Sequence, residues 1–232
     1  MRTLVWFRGK DLRVADHGPL VEAAEAGEVI PCFVVDPHFF APERAAEAPH
    51  RMQFLLEGLA SLASNLAHLG SHLVIVRGRS TEVVPALARE LKVDQVRAHW
   101  WTEPFGRRRD AKVAEALGGV PFTLSEGETL FPPGSVRTGQ GGMFKVYTPF
   151  ARACGALDPE PPRPSLQRLP PVPPEARALG QSEPTLEELG LTRNPRLQRG
   201  GEREARARLR AFLPQLQAYP EARDRMDRSG TS

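Results

Sequence analysis

The stretch VWFRGKDLRVADHGPL, Val5 to Leu20, is an apolar run that ends in Trp6 and Phe7 and passes directly into five charged residues, Arg8, Lys10, Asp11, Arg13 and Asp16. A proline suited to the start of a helix, Pro19, follows. A strand that is apolar at successive positions, not at alternate ones, belongs to a sheet covered on both faces. In such a sheet, ligands lie outside the carboxyl ends of the strands, where these charges fall.

Further apolar runs alternate with helical patterns through the first half of the chain, the signature of a parallel sheet with crossover helices. Strands are predicted at Thr3 to Phe7, Val29 to Val35, His72 to Arg77, Gln95 to Trp100 and Pro121 to Leu124. Helices are predicted at Pro19 to Ala26, Arg51 to Leu69, Thr81 to Leu91 and Glu103 to Leu117. The second of these is the clearest, with Met52, Leu55, Leu56, Leu59, Leu62, Leu66 and Leu69 at three-to-four spacing and Gly70 as a cap. The fold class is therefore α/β, a doubly wound, five-stranded parallel sheet occupying residues 1–154.

Beyond Cys154 the sequence LDPEPPRPSLQRLPPVPPEARALG is dense in proline, which fixes φ and removes backbone donors. Residues 155–199 read as a linker running over the surface, without a packed regular element. An amphipathic helix is predicted at Gly201 to Tyr219, with Ala205, Leu209, Phe212, Leu213 and Leu216 on one face, inside a last unit of residues 200–232.

A chain of 232 residues with 41% hydrophobic content can bury a substantial core, and a net charge of +3 tilts only slightly toward anionic partners. Two cysteines without CxxC spacing support neither a disulfide framework nor a structural metal site. The four apolar residues before Arg8 are too few for a signal peptide or a membrane span, so a cytoplasmic protein is expected. The first strand is followed by RGKDLR, neither a dinucleotide-binding GxGxxG nor a P-loop, and no GxSxG occurs. The glycines of Thr138 to Gly142 read as a turn, and His99 as structural. On residue chemistry alone the charges after the strands are first of all loop residues and caps, Asp36 and Glu103 being suited to helix N-termini.

The order of several motifs carries more. Trp6-Phe7-Arg8 with Asp11-Leu12-Arg13, FVVDP at Phe33 to Pro37, RMQFLLEGL at Arg51 to Leu59 and EPFGRRRD at Glu103 to Asp110 are followed by LFPPGSVRTGQGGMFKVYTPF at Leu130 to Phe150 and GGEREARARLRAF at Gly200 to Phe212. Together they resemble the photolyase and cryptochrome family over essentially the whole chain. The resemblance implies a Rossmann-like α/β antenna domain, an interdomain connection and the first helix of a helical domain that holds FAD. Family members that repair DNA use light absorbed by FAD to split pyrimidine dimers flipped out of the duplex. The alternative is a cryptochrome-like light sensor without repair activity. A more distant alternative is a free-standing nucleotide-binding protein of the same α/β class.

The resemblance also assigns residues. In the antenna pocket, Phe33 takes the place of an aromatic that packs on the chromophore ring, Arg51 of a basic wall residue and Glu103 of a carboxylate. Arg8 belongs to the charged turn that orders the junction between domains. The two positions where folate-binding members carry an Asn-Glu pair are Phe105 and Gly106. The position where deazaflavin-binding members carry an aspartate is Trp101, which either stacks on a flavin-like ring or fills the pocket. A flavin or deazaflavin is expected in preference to a folate, or else an empty pocket. Thr231 and Ser232, in the closing GTS, take the place of the edge of the FAD phosphate site. The carbon–carbon lyase activity is not expected of this chain alone. Arg107, Arg108, Arg109 and Lys112 read as a solvated helix face, so DNA binding is expected through a full-length protein and is weak and non-specific here. The apolar face of the last helix is expected to be exposed and to support a dimer.

Overall fold

In the computed structural model, which describes residues 1–225 and 227, five parallel strands form one sheet in the order β3-β2-β1-β4-β5. They are β1 (Arg2–Phe7), β2 (Glu28–Val35), β3 (Val74–Arg77), β4 (Gln95–His99) and β5 (Phe122–Ser125). Trp6 pairs with Cys32 and Phe7 with Phe33 in the β1–β2 register. The winding reverses beside β1, because the chain leaves β3 at one edge and re-enters as β4 on the opposite side of β1.

Alternate residues of each strand feed two separate cores. Leu4, Trp6, Ile30, Cys32, Val74 and Val96 face α5 (Ser80–Glu90) and α6 (Pro104–Ala116), whereas Val5, Phe7, Phe33 and Ile75 face α1 (Gly18–Ala26) and α4 (Pro49–His68). Both faces are covered, which is why the strands are apolar throughout. The five predicted strands and the first four predicted helices agree with the observed ones to within about two residues at each end, and Gly70, at φ 86°, follows the end of α4 in the left-handed conformation expected of a glycine there. Burial pushes the Cys32 thiol up to about 12, and Cys32 and Cys154 are both free. Thr138 and Gly142 close a turn through the Gly142 carbonyl, which accepts from Thr138 N–H at 2.9 Å. No helix among the described residues is long and apolar enough to cross a membrane.

Two short helices, α2 (Pro37–Phe40) and α3 (Pro42–Glu47), bridge β2 to α4, and α7 (Tyr147–Gly155) lies in the stretch that follows the β5 strand. None of the three is among the helices predicted from the sequence. Each of the first two starts on a proline, whose fixed φ suits a first helical position but is compatible with a turn as well.

The expectation of a surface linker without a packed regular element over 155–199 is corrected. Helix α8 (Pro174–Ala178) forms there, and Leu169, Val172, Ala176 and Leu189 are buried in the two cores. The segment covers the β3 edge, where Gln181 N–H donates to Ile75 O at 2.8 Å, and it is tied to the end of α4 by Leu169 N–H, which donates to Leu69 O at 2.7 Å. An edge strand presents unpaired backbone groups, and a proline-rich chain still has carbonyls, some N–H groups and apolar side chains with which to cover them. Val172→Ala removes two buried methyl groups and should lower the unfolding free energy by about 1.5 kcal/mol. Urea denaturation would measure it, and an unchanged midpoint would mean that this segment does not share the core.

The last predicted helix is also corrected. It runs as α9 (Glu202–Phe212) and then tightens into a 3₁₀ turn, Leu213–Ala218, followed by α10 (Tyr219–Ala222). Pro214 has no N–H to donate to the preceding turn, and its ring crowds the carbonyl four residues back. Leu209, Leu213 and Leu216 are all more than half exposed, as the sequence implied for this face. Thr231 and Ser232 lie outside the described residues.

Candidate functional site: an aromatic and basic cleft at the carboxyl ends of the strands

The charged turn after β1 is closed at both ends. Arg8 N–H donates to Asp11 Oδ1 at 2.6 Å, and Asp11 N–H to Arg8 O at 3.2 Å, leaving Gly9 and Lys10 at the tip. The side chains then divide. Arg8 turns inward, buried, and donates through Nη1 to Asp110 Oδ2 at 2.8 Å. Lys10 stays partly exposed, pairing with Glu103 at 3.0 Å and with Glu128. Glu128 in turn accepts from Thr102 N–H at 2.9 Å and Thr102 Oγ1 at 2.7 Å, so the loops after β4 and β5 are tied to the turn after β1.

Asp110 holds a second guanidinium. Its Oδ1 accepts from Arg109 Nε at 2.9 Å and Nη2 at 2.8 Å. Arg109 is buried between two indoles, with its guanidinium carbon 4.6 Å from the Trp6 ring centre and 4.5 Å from that of Trp101. Burial lowers its pKa, and the charge of Asp110 opposes that effect. Arg109 is therefore not part of a solvated face, and that expectation is corrected. The buried face of α6 consists of Gly106, Arg109, Asp110 and Val113. This is a three-to-four spacing that leads back from Val113, a signal that marks the pair as buried and that the run of charge had masked.

A second buried group lies beneath the turn. His99 Nδ1 is 3.0 Å from Asp11 Oδ2 and carries the proton, since a carboxylate only accepts. His17 caps α1 with Nδ1, which accepts from Leu20 N–H at 3.1 Å, while its Nε2 lies 3.7 Å from Asp11 Oδ2. Burial alone would push the Asp11 carboxyl up, but the nearby His17 imidazole, the hydrogen bond from His99 and the Arg8 charge outweigh it and hold the group well below the usual carboxylate range. Burial lowers His17, although Asp11 pulls the other way. Asp11, His17 and His99 bring donor atoms of metal-ligand type within 4.8 Å of one another. His99 lies 88 positions from Asp11, so the meeting of the three was not legible from spacing; the short Asp11–His99 contact has the length of a hydrogen bond.

Above these groups opens a cleft of about 470 Å³. Its floor is Phe7, Arg8, Phe33 and Asp36, the last of which accepts from Ser80 N–H at 2.8 Å and Ser80 Oγ at 2.6 Å and so joins β2 to the start of α5. Its walls include Phe40, Met52 and Trp101, with Arg44 and Arg51 among the lining residues. Of the residues singled out in the sequence, Arg8, Phe33, Arg51 and Trp101 come together here. Glu103 does not line the cleft; its carboxylate is engaged by Lys10 on the outer side. Phe39, Phe40 and Lys10, which no motif marked as pocket residues, do line it. Phe105 stacks on His38, with ring centres 4.2 Å apart and planes 10° from parallel.

The chain matches the family model described as DNA photolyase over residues 3–168. It is 40% identical over 230 residues to a deoxyribodipyrimidine photo-lyase of Thermus thermophilus, covering 99% of this chain and 49% of that protein. It is 33% identical to a cryptochrome DASH of Gloeobacter violaceus, covering 96% and 47% respectively. Among solved structures, a bacterial class III photolyase from Agrobacterium tumefaciens superposes with a TM-score of 0.82 at 28% identity, over 99% of this chain and 48% of that one. An archaeal photolyase from Sulfolobus tokodaii, described as holding two FAD molecules, shares the fold with a TM-score of 0.72 at 23% identity, over 89% and 45%. The chain spans about half the length of the curated relatives it matches. With the family model matching well over half of its residues, and an α/β sheet of the same architecture, this chain belongs to the DNA photolyase family.

Proposed function

We propose that the cleft holds a flavin-type antenna chromophore and that the domain is the light-harvesting part of a photolyase that repairs pyrimidine dimers in DNA with FAD. The observation that carries this reading is the cleft itself, about 470 Å³ at the carboxyl ends of β1 and β2, lined by the aromatic residues Phe33, Phe40 and Trp101 and by Arg8, Lys10, Arg44 and Arg51. That volume lies within the range of small-molecule sites, roughly 300–1,000 Å³, and aromatic walls with a few cations suit a planar ring carrying an anionic tail. The archaeal structure described with two FAD molecules supports a flavin in this role. Against a folate stand Phe105, engaged in its stack on His38, and Gly106, which has no side chain to read a pterin. In this reading Arg51 and Arg8 meet the polar part of the ligand and Phe33 meets its ring, while Thr231 and Ser232 supply the edge of an FAD phosphate site in the longer protein. A light-sensing cryptochrome module is the second reading, favoured by the cryptochrome DASH relative.

Titrating the purified chain with FMN, FAD, an 8-hydroxy-5-deazaflavin and 5,10-methenyltetrahydrofolate, followed by ligand fluorescence, tests the assignment. Saturable binding of a flavin or deazaflavin with at least ten-fold weaker folate binding is expected. Tight folate binding without flavin binding would overturn it.

A further inference from the structure

The first turn of α6 contains a close approach that the chromophore reading leaves unused. Gly106 lies inside a helix, where glycine is less favourable than alanine, and its backbone is not in the left-handed region. Space explains it. A Cβ at 106 would sit 2.4 Å from Trp101 Cε3 and 2.6 Å from Trp101 Cβ. The indole is pinned elsewhere by the Arg109 guanidinium at 4.5 Å, the Lys10 ammonium at 5.0 Å and the edge of Phe39 at 6.5 Å, measured between ring centres in the last case. It is 6% exposed and lines the cleft.

We propose that Gly106 and Trp101 are an interlocked specificity pair, in which the missing Cβ at 106 seats the indole as the cleft wall beside α6. That wall presents ring surface and no hydrogen-bond acceptor. It favours a flavin-type tricycle, which offers the larger ring surface to stack, over a bicyclic pterin, whose additional 2-amino donor finds no acceptor on that wall. The inference rests on the chromophore reading and names what sets its selectivity. Gly106 does not line the cleft and so acts as a positioning residue, through Trp101.

The pair is tested with Gly106→Ala, Trp101→Ala and the double variant, read by thermal unfolding without ligand and by fluorescence titration with FMN and with 5,10-methenyltetrahydrofolate. With Trp101 present, G106A should lower Tm by about 5 °C, whereas with alanine at 101 the same change should leave Tm level or raise it, because the clash is gone and alanine is the better helix former. G106A should weaken FMN binding at least ten-fold, and the flavin-to-folate preference should fall at least ten-fold in W101A and in the double variant. Equal Tm effects in both backgrounds, or an unchanged preference, would overturn the proposal. If wild type binds neither ligand while the Tm effects remain coupled, the chromophore reading fails and the selectivity claim with it, although the interlock stands.

Discussion

Replacing Asp110 with asparagine should lower the unfolding free energy by about 3–5 kcal/mol, the cost typical of removing one partner from a buried ion pair. Asp110 is the carboxylate that accepts from both Arg8 and Arg109, with all three side chains at least nine-tenths buried. Arg8 already has Nε and Nη2 buried without a partner, so no spare acceptor is at hand to take over. An asparagine of nearly the same size leaves two guanidinium charges stranded between Trp6 and Trp101. The expected readout is a large fall in the urea midpoint followed by far-ultraviolet circular dichroism. Adding Arg8→Met to Asp110→Asn should recover part of the loss, because one stranded charge goes with it. A loss below about 1 kcal/mol would show that the guanidinium groups reach water when the carboxylate is removed.

Acid should destabilise the domain earlier than ordinary carboxylates require. His17 must be neutral to cap α1, since an imidazolium has no acceptor for Leu20 N–H, and burial holds its pKa below the usual histidine value. As pH falls through about 6.5 the unfolded chain takes up a proton on this residue before the folded one does, so stability falls with pH. The slope from one such group is at most about 1.4 kcal/mol per pH unit. Asp11 acts in the same direction at lower pH. Its folded-state pKa is depressed, so its contribution is complete above about 4 and is lost as the pH falls further. Urea midpoints from pH 8 to pH 4 should therefore decline from about pH 6.5 downward, with a second, steeper fall below about pH 4.5. His17→Asn keeps a side chain able to cap a helix and should flatten the upper part of that decline. A wild-type midpoint that stays level between pH 7 and pH 5 would exclude a buried neutral His17.

The sheet and its two cores were legible in the sequence because they depend on local pattern. Apolar runs at β1 to β4 and the three-to-four spacing of Met52, Leu56, Leu59, Leu62 and Leu66 state which residues avoid water, and only a sheet covered on both faces satisfies them all. The pocket residues Phe33, Arg51 and Trp101 were reached through the resemblance, and Pro214, read inside a helix, could have been recognised as its end from its missing donor alone.

What the tertiary structure decided is the fate of the charges. The quoted segment announces five of them after β1, yet nothing local separates Arg8, buried on Asp110, from Lys10, which reaches outward to Glu103 and Glu128. Arg109 and Asp110 stand in a run of charge that reads as solvated, and they are buried because α6 turns that face toward Trp6. Asp11 meets His99 across 88 positions of sequence, and the proline-rich segment becomes part of the core because β3 is an edge with backbone groups to cover. Hydrophobicity is a property each residue carries with it, so its pattern survives in one dimension. Whether a charge is buried depends on finding a distant partner, and that is settled only when the strands and helices are brought together.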